Sequence, residues 1–155
     1  PVNRRQRQMC IRDSPDSIIL DIKNSIAKPG ELPYFQLTPI RKPTLKTKFD
    51  QLRNSGVVMM IGTDSGIPMK FHSQSTWNEL EVWVNVFDVE PLDAIKSATY
   101  WPSFFMGVSD TVGTISVGKQ ADIIAVKGNV LKHISTLQNI DIVMKKGKIY
   151  KNTKS

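Results

Sequence analysis

Val57-Val58-Met59-Met60-Ile61-Gly62 is the feature that most limits what this chain can become. The run is apolar without alternation. A strand exposed on one face alternates polar and apolar residues, whereas a strand covered on both faces does not. Helical patterns flank the run. Before it, Thr44 to Asn54 carries Leu45, Phe49 and Leu52 on one face and stops at Ser55-Gly56. After it, Ser75 to Phe87 carries Trp77, Leu80, Val84 and Phe87 on one face. Helix, short loop, buried strand and helix make half of a βαβ rhythm, so the fold class expected is α/β.

The rest of the chain fits around this centre. Ile18, Ile19, Ile22 and Ile26 recur at helical spacing and predict a helix that Pro29-Gly30 ends. Pro29, Pro33, Pro39 and Pro43 predict a loop with little regular structure. Pro91 suits a first helical turn, so a further helix is expected over Leu92 to Tyr100. Trp101-Pro102 should interrupt it, with one more turn at Phe104 to Met106. The character then changes to short β segments: Gly113 to Gly118, Asp122 to Val126 and Asp141 to Met144. A turn at Lys145 to Lys148 leads into Ile149-Tyr150. The chain has 155 residues. A whole (β/α)₈ barrel needs at least about 200.

The formal net charge is +7, which raises the question of nucleic acid. Much of it sits in Pro1 to Ser14, where Arg4, Arg5, Arg7 and Arg12 face only Asp13. This block also holds the single cysteine, Cys10, and shows no apolar periodicity. Residues 8–14 can be coded by CAG ATG TGT ATA AGA GAC AG plus one base, which resembles a transposon end used in sequencing libraries. Residues 1–14 are therefore expected to be a non-native leader joined to a broken gene from environmental DNA; a natural basic leader is the alternative. The charge left over is no nucleic-acid footprint, and no nucleic-acid partner is expected. No apolar run reaches the ~20 residues of a membrane span.

Asp64 is the leading chemical candidate. It follows the buried run, at the strand end where α/β folds place their sites. A carboxylate there can bind a divalent metal, or take a proton from metal-bound water and pass it to a leaving nitrogen. On spacing alone Asp64-Ser65-Gly66 reads rather as a simple turn, with Asp64 bonding its own backbone. Ser65 is read as part of that turn. Glu79 and Glu81 read as a solvated helix face, and His133 as a surface residue. Trp77, Trp83 and Trp101 read as packing groups. Gly113, Gly118 and Gly128 match no phosphate-loop pattern and read as β turns. Lys145, Lys146 and Lys148 read as a solvated hairpin.

Val57 to Gly66, VVMMIGTDSG, resembles the last barrel strand of the amidohydrolase superfamily, which closes on G-T-D-S or G-T-D-A. Glu90 to Ile95 with Ser97-Ala98-Thr99 is similar to that family's P-x-E-A-I-x-x-A-T helix. Gly107, Asp110, Gly113-Thr114-Ile115, Gly118-Lys119 and Ala121 to Ile124 are similar to its L-G-x-x-D-x-x-G-S-I-x-x-G-K-x-A-D-L-V segment. Order and spacing agree from Asn54 to Lys151, most closely with imidazolonepropionases and metal-dependent dipeptidases. The resemblance implies the C-terminal part of a (β/α)₈ TIM-like barrel plus part of a small β composite domain. Residues 15–106 would belong to the barrel and 107–151 to the β domain. It implies a divalent metal, zinc by preference, and hydrolysis of C–N bonds in a small amide or peptide substrate. Asp64 would be metal ligand and general base, and His72, in the loop after it, would contact substrate; an exposed loop histidine is the plain alternative.

The departures are as informative. The family's other ligands are a His-x-His after the first strand, histidines after two middle strands and sometimes a modified lysine. This chain has two histidines, His72 and His133, and they form no ligand motif. One carboxylate does not hold a catalytic zinc. The isolated chain is expected to be inactive, and its tail strands to lack partners. The competing reading is a non-enzymatic α/β interaction or assembly module.

Overall fold

A computed structural model describes residues 36–65 and 72–153. The helix expected over Ile18 to Ile26 and the basic leader lie outside them. Among the described residues, four helices precede the strands: α1 (Thr38–Asn54), α2 (His72–Asn85), α3 (Pro91–Ala98) and α4 (Tyr100–Phe105). Three strands follow, β1 (Ile123–Val126), β2 (Ile140–Lys145) and β3 (Lys148–Asn152), with a 3₁₀ helix, Ile134–Gln138, between β1 and β2.

α1 begins six residues before the expected start and runs through two prolines. Pro39 lies in the first turn, where a missing N–H removes no bond. Pro43 lies inside the helix, at the sacrifice of one bond to the Pro39 carbonyl. The proline count therefore misleads: a spacing of four puts one proline in the tolerated turn. Arg53 in the last turn and Gly56 at φ 76° close the helix. Of the three apolar residues expected on its buried face, only Phe49 joins the core. It stacks on Phe87 at 4.3 Å and meets Trp83 edge-on at 5.1 Å. Leu45 and Leu52 are exposed.

The expected long helix near residue 95 is broken at Thr99 (φ −130°, ψ −72°) rather than at Trp101-Pro102. Pro102 instead falls in the first turn of α4, where it fits. The β segment expected at Gly113 to Gly118 is a run of turns. Both glycines have left-handed backbone (φ 92° and 89°), which a strand does not admit. Gly113 is also pressed against α4: a Cβ there would lie 2.1 Å from Ser103 Oγ.

The other β segments form one antiparallel sheet in the order β1-β2-β3. Ile124 faces Val143, Met144 faces Ile149, and each pairing carries one register shift. Lys146 and Gly147, both at positive φ, make the tight turn into β3. Asp122 locks it, accepting from the Lys145 ammonium and from the Lys146 amide at 2.7 Å.

The core is Leu80 and Trp83 of α2, Val89 and Ala94 beside and within α3, and Ile134 and Leu137 of the 3₁₀ helix. Trp77, Val84 and Phe87 flank it, as their helical spacing predicts. The 3₁₀ helix packs on α2, so residues after 107 complete a core begun before 90. Among the described residues, no helix is long and apolar enough to cross a membrane.

Candidate active site

The segment carrying Asp64 departs from the buried strand expected. Among the described residues Val57 to Gly62 joins no ladder, and Val57, Val58 and Met60 are exposed. Met59 and Ile61 alone turn inward, against the core. A strand in a parallel sheet needs neighbouring strands at its edges and packed layers on both faces, and among the described residues no strand pairs with this segment. Among the described residues, its hydrogen bonds to other elements go to helices. The Ile61 amide donates to the Ser97 carbonyl of α3 at 3.2 Å. The Gly62 amide donates to Glu79 Oε1 of α2 at 3.4 Å. Ser97 itself is fully buried, and its hydroxyl bonds back to the Ala94 carbonyl at 2.7 Å.

Asp64 is exposed and its backbone is left-handed, at φ 48°. Few non-glycine residues adopt this conformation, and aspartate is among those that do. Ser65 Oγ donates to Thr63 Oγ1 at 2.8 Å, so its hydroxyl stays within the turn. Among the described residues no cation pairs with the Asp64 carboxylate.

His72 is the first residue of α2 and is exposed. It is not in the loop expected; the helix begins three residues before Ser75, the expected start, because polar residues at a helix start carry no periodic signal. Among the described residues no hydrogen bond joins His72 to Asp64. His133 precedes the 3₁₀ helix and is exposed, as expected. Trp83 is buried, Trp77 packs on the core, and Trp101 lies edge-on to Tyr100 and Phe104.

Glu79 is the residue whose place the sequence does not announce. It is half-buried, not on a solvated face. A signal exists: Ser75, Glu79 and Trp83 recur every four residues, and the first and last are buried. Its partner, Gly62, lies 17 positions away, beyond any local pattern.

One carboxylate does not make a metal centre. Among the described residues no three His, Cys, Asp or Glu side chains gather to hold an ion. Asp64 fits as a single ligand, an exposed anionic oxygen donor, and the full set is not present among those residues.

Residues 44–150, which include Asp64 and all but the end of the third strand, match the amidohydrolase family. The chain belongs to that family. The imidazolonepropionase of Shewanella oneidensis is 35% identical over 81 residues, covering 52% of this chain and 20% of that protein. This amidohydrolase chain thus spans about a fifth of the length of the curated relatives it matches. Among solved structures, a Xaa-Pro dipeptidase with bound methionine in its active site superposes with a TM-score of 0.67. It is 30% identical, over 87% of this chain and 32% of that one. Ochratoxinase from A. niger superposes at 0.64 with 24% identity, over 87% and 30% of the two chains, which shows a shared fold.

Proposed function

We propose that the full gene product is a metal-dependent hydrolase of C–N bonds in a non-peptide amide, cyclic amide or dipeptide. Asp64 is its metal ligand and general base. One observation carries the reading. Within the region that matches the family, an exposed carboxylate is presented in a left-handed turn at the end of an apolar segment held by two helices.

On this reading Val57 to Gly62 is the last strand of a (β/α)₈ barrel. Residues 15–106 belong to the barrel and 107–151 to a small β domain. A bound divalent cation, zinc by expectation, would bring the pKa of a water toward neutrality. Asp64 would hold that cation through one carboxylate oxygen, and its carboxylate is the group that would take up a proton and pass it to the leaving nitrogen. His72, at the start of α2, contacts substrate at the same mouth. This chain's two histidines, His72 and His133, form no ligand motif, so the remaining ligands would come from elsewhere in the full gene product and this chain alone is expected to be inactive.

The test is metal analysis and hydrolysis by the full gene product beside its Asp64→Asn variant. Stoichiometric metal that weakens in the variant, with hydrolysis of amide or imidazolone substrates lost, supports the reading. A product that binds no metal and cleaves no such substrate would leave an α/β interaction or assembly module in its place.

A further inference from the structure

Consecutive amides of the Asp64 segment are tied to different helices by different chemistry. Ile61 uses a backbone carbonyl, that of Ser97. Gly62 uses a side chain, that of Glu79, at 3.4 Å. Any residue at position 97 could provide the first bond; only the residue at 79 provides the second. The second bond also lies two positions before Asp64. Between them stands Thr63, and after them the chain turns left-handed at φ 48°. A bond that fixes the Gly62 peptide plane therefore fixes the last point before the turn that aims the Asp64 carboxylate.

We propose that Glu79 is a positioning residue for Asp64. Its carboxylate holds the Gly62 amide and so sets where the Asp64 carboxyl group lies. The proposal rests on the reading of Asp64 as the functional carboxylate. A glutamate suits this role by its reach: one carboxylate oxygen lies 3.4 Å from the Gly62 amide nitrogen, at the long end of a hydrogen bond. Ser75 and Trp83, buried one helical turn to either side, seat the Glu79 backbone. A misplacement of about 1 Å at a reacting group can lower a rate by about 100-fold.

The experiment uses the full gene product and the variants Glu79→Leu, Glu79→Gln and Asp64→Asn. Leucine keeps the bulk and removes the acceptor; glutamine keeps an acceptor oxygen at the same reach. In E79L, kcat should fall by about 100-fold, with KM within roughly threefold. In E79Q, kcat should stay within roughly tenfold of the parent, because a neutral acceptor makes the weaker bond. Hydrogen exchange read on peptides spanning 57–65 should quicken in E79L and not in E79Q. Should E79L fail to fold, Glu79→Ala is judged by the same criteria. Parent-like kcat and exchange in E79L, or equal losses in E79L and E79Q, overturn the proposal. If D64N is inactive while E79L is parent-like, only the role of Glu79 falls. If D64N keeps parent activity, the reading of Asp64 falls and takes this one with it.

Discussion

Asp64 and Gly113 both have left-handed backbone, for different reasons. Aspartate tolerates that region and brings a carboxylate to it. Gly113 is there because nothing larger fits: a Cβ would meet Ser103 Oγ at 2.1 Å and Ser103 Cβ at 2.6 Å. Gly113→Ala should therefore destabilise the fold by more than the ~1–2 kcal/mol that the left-handed conformation alone costs an L-residue. Denaturant titration checks this. Ser103→Gly in the same background should restore part of the loss, and Ser103→Ala less, because the Cβ contact remains. Legibility at this scale follows chemistry. Asp64 stands out because G-T-D-S is a short contiguous motif. Glu79 does not, since its partner is the amide of a residue 17 positions earlier, and amides leave no mark in a sequence.

At the scale of elements, the hairpin β2–β3 forms as its sequence predicts, whereas the strand expected at Val57 to Gly62 joins no ladder among the described residues. A turn of Lys146-Gly147 states its own geometry in two residues. An apolar run without alternation asks for cover on both faces, and among the described residues Val57, Val58 and Met60 stay exposed. Helix starts are obscure for a related reason: at α1 and α2 the first turns are polar or proline-bearing and carry no apolar stripe. The hairpin also yields a pH dependence. The side-chain bond from Lys145, then the Lys146 amide, lowers the Asp122 carboxyl below the ordinary aspartate value. A carboxyl lowered by folding adds stability above its unfolded pKa of about 3.9, and that stability is lost as pH falls through the folded value. Asp122→Asn should thus lower the melting temperature at neutral pH, and the gap from the parent should close in strong acid. An acid titration of the melting temperature of the two proteins reads it; a gap that persists unchanged at low pH would contradict the bond's role.

At the scale of the molecule, apolar surface outruns the core. Six hydrophobic residues are buried among those described, whereas Ile115, Val117, Met106, Tyr150 and Phe105 stand more than half exposed. A groove of about 590 Å³ between α4 and β1, lined by Pro102, Met106, Ile115 and Ile123, adds to that open apolar surface. Contiguous apolar surface of this kind is an association liability. The isolated chain should bind a hydrophobic dye and self-associate, with weak near-UV circular dichroism; sharp near-UV bands with a cooperative melt and a monomeric sedimentation profile would contradict this. The order of elements, helices and then a β unit, is legible from periodicity alone. How they meet is not, because Leu80 and Leu137 share one core while lying far apart in a sequence with no pattern to link them. That meeting has a consequence for how the chain can be divided. A cut in the turns between Met106 and Asp122 would part the sequence but not the packing. The two pieces, made separately, would have to find each other again before either could dry its half of the core.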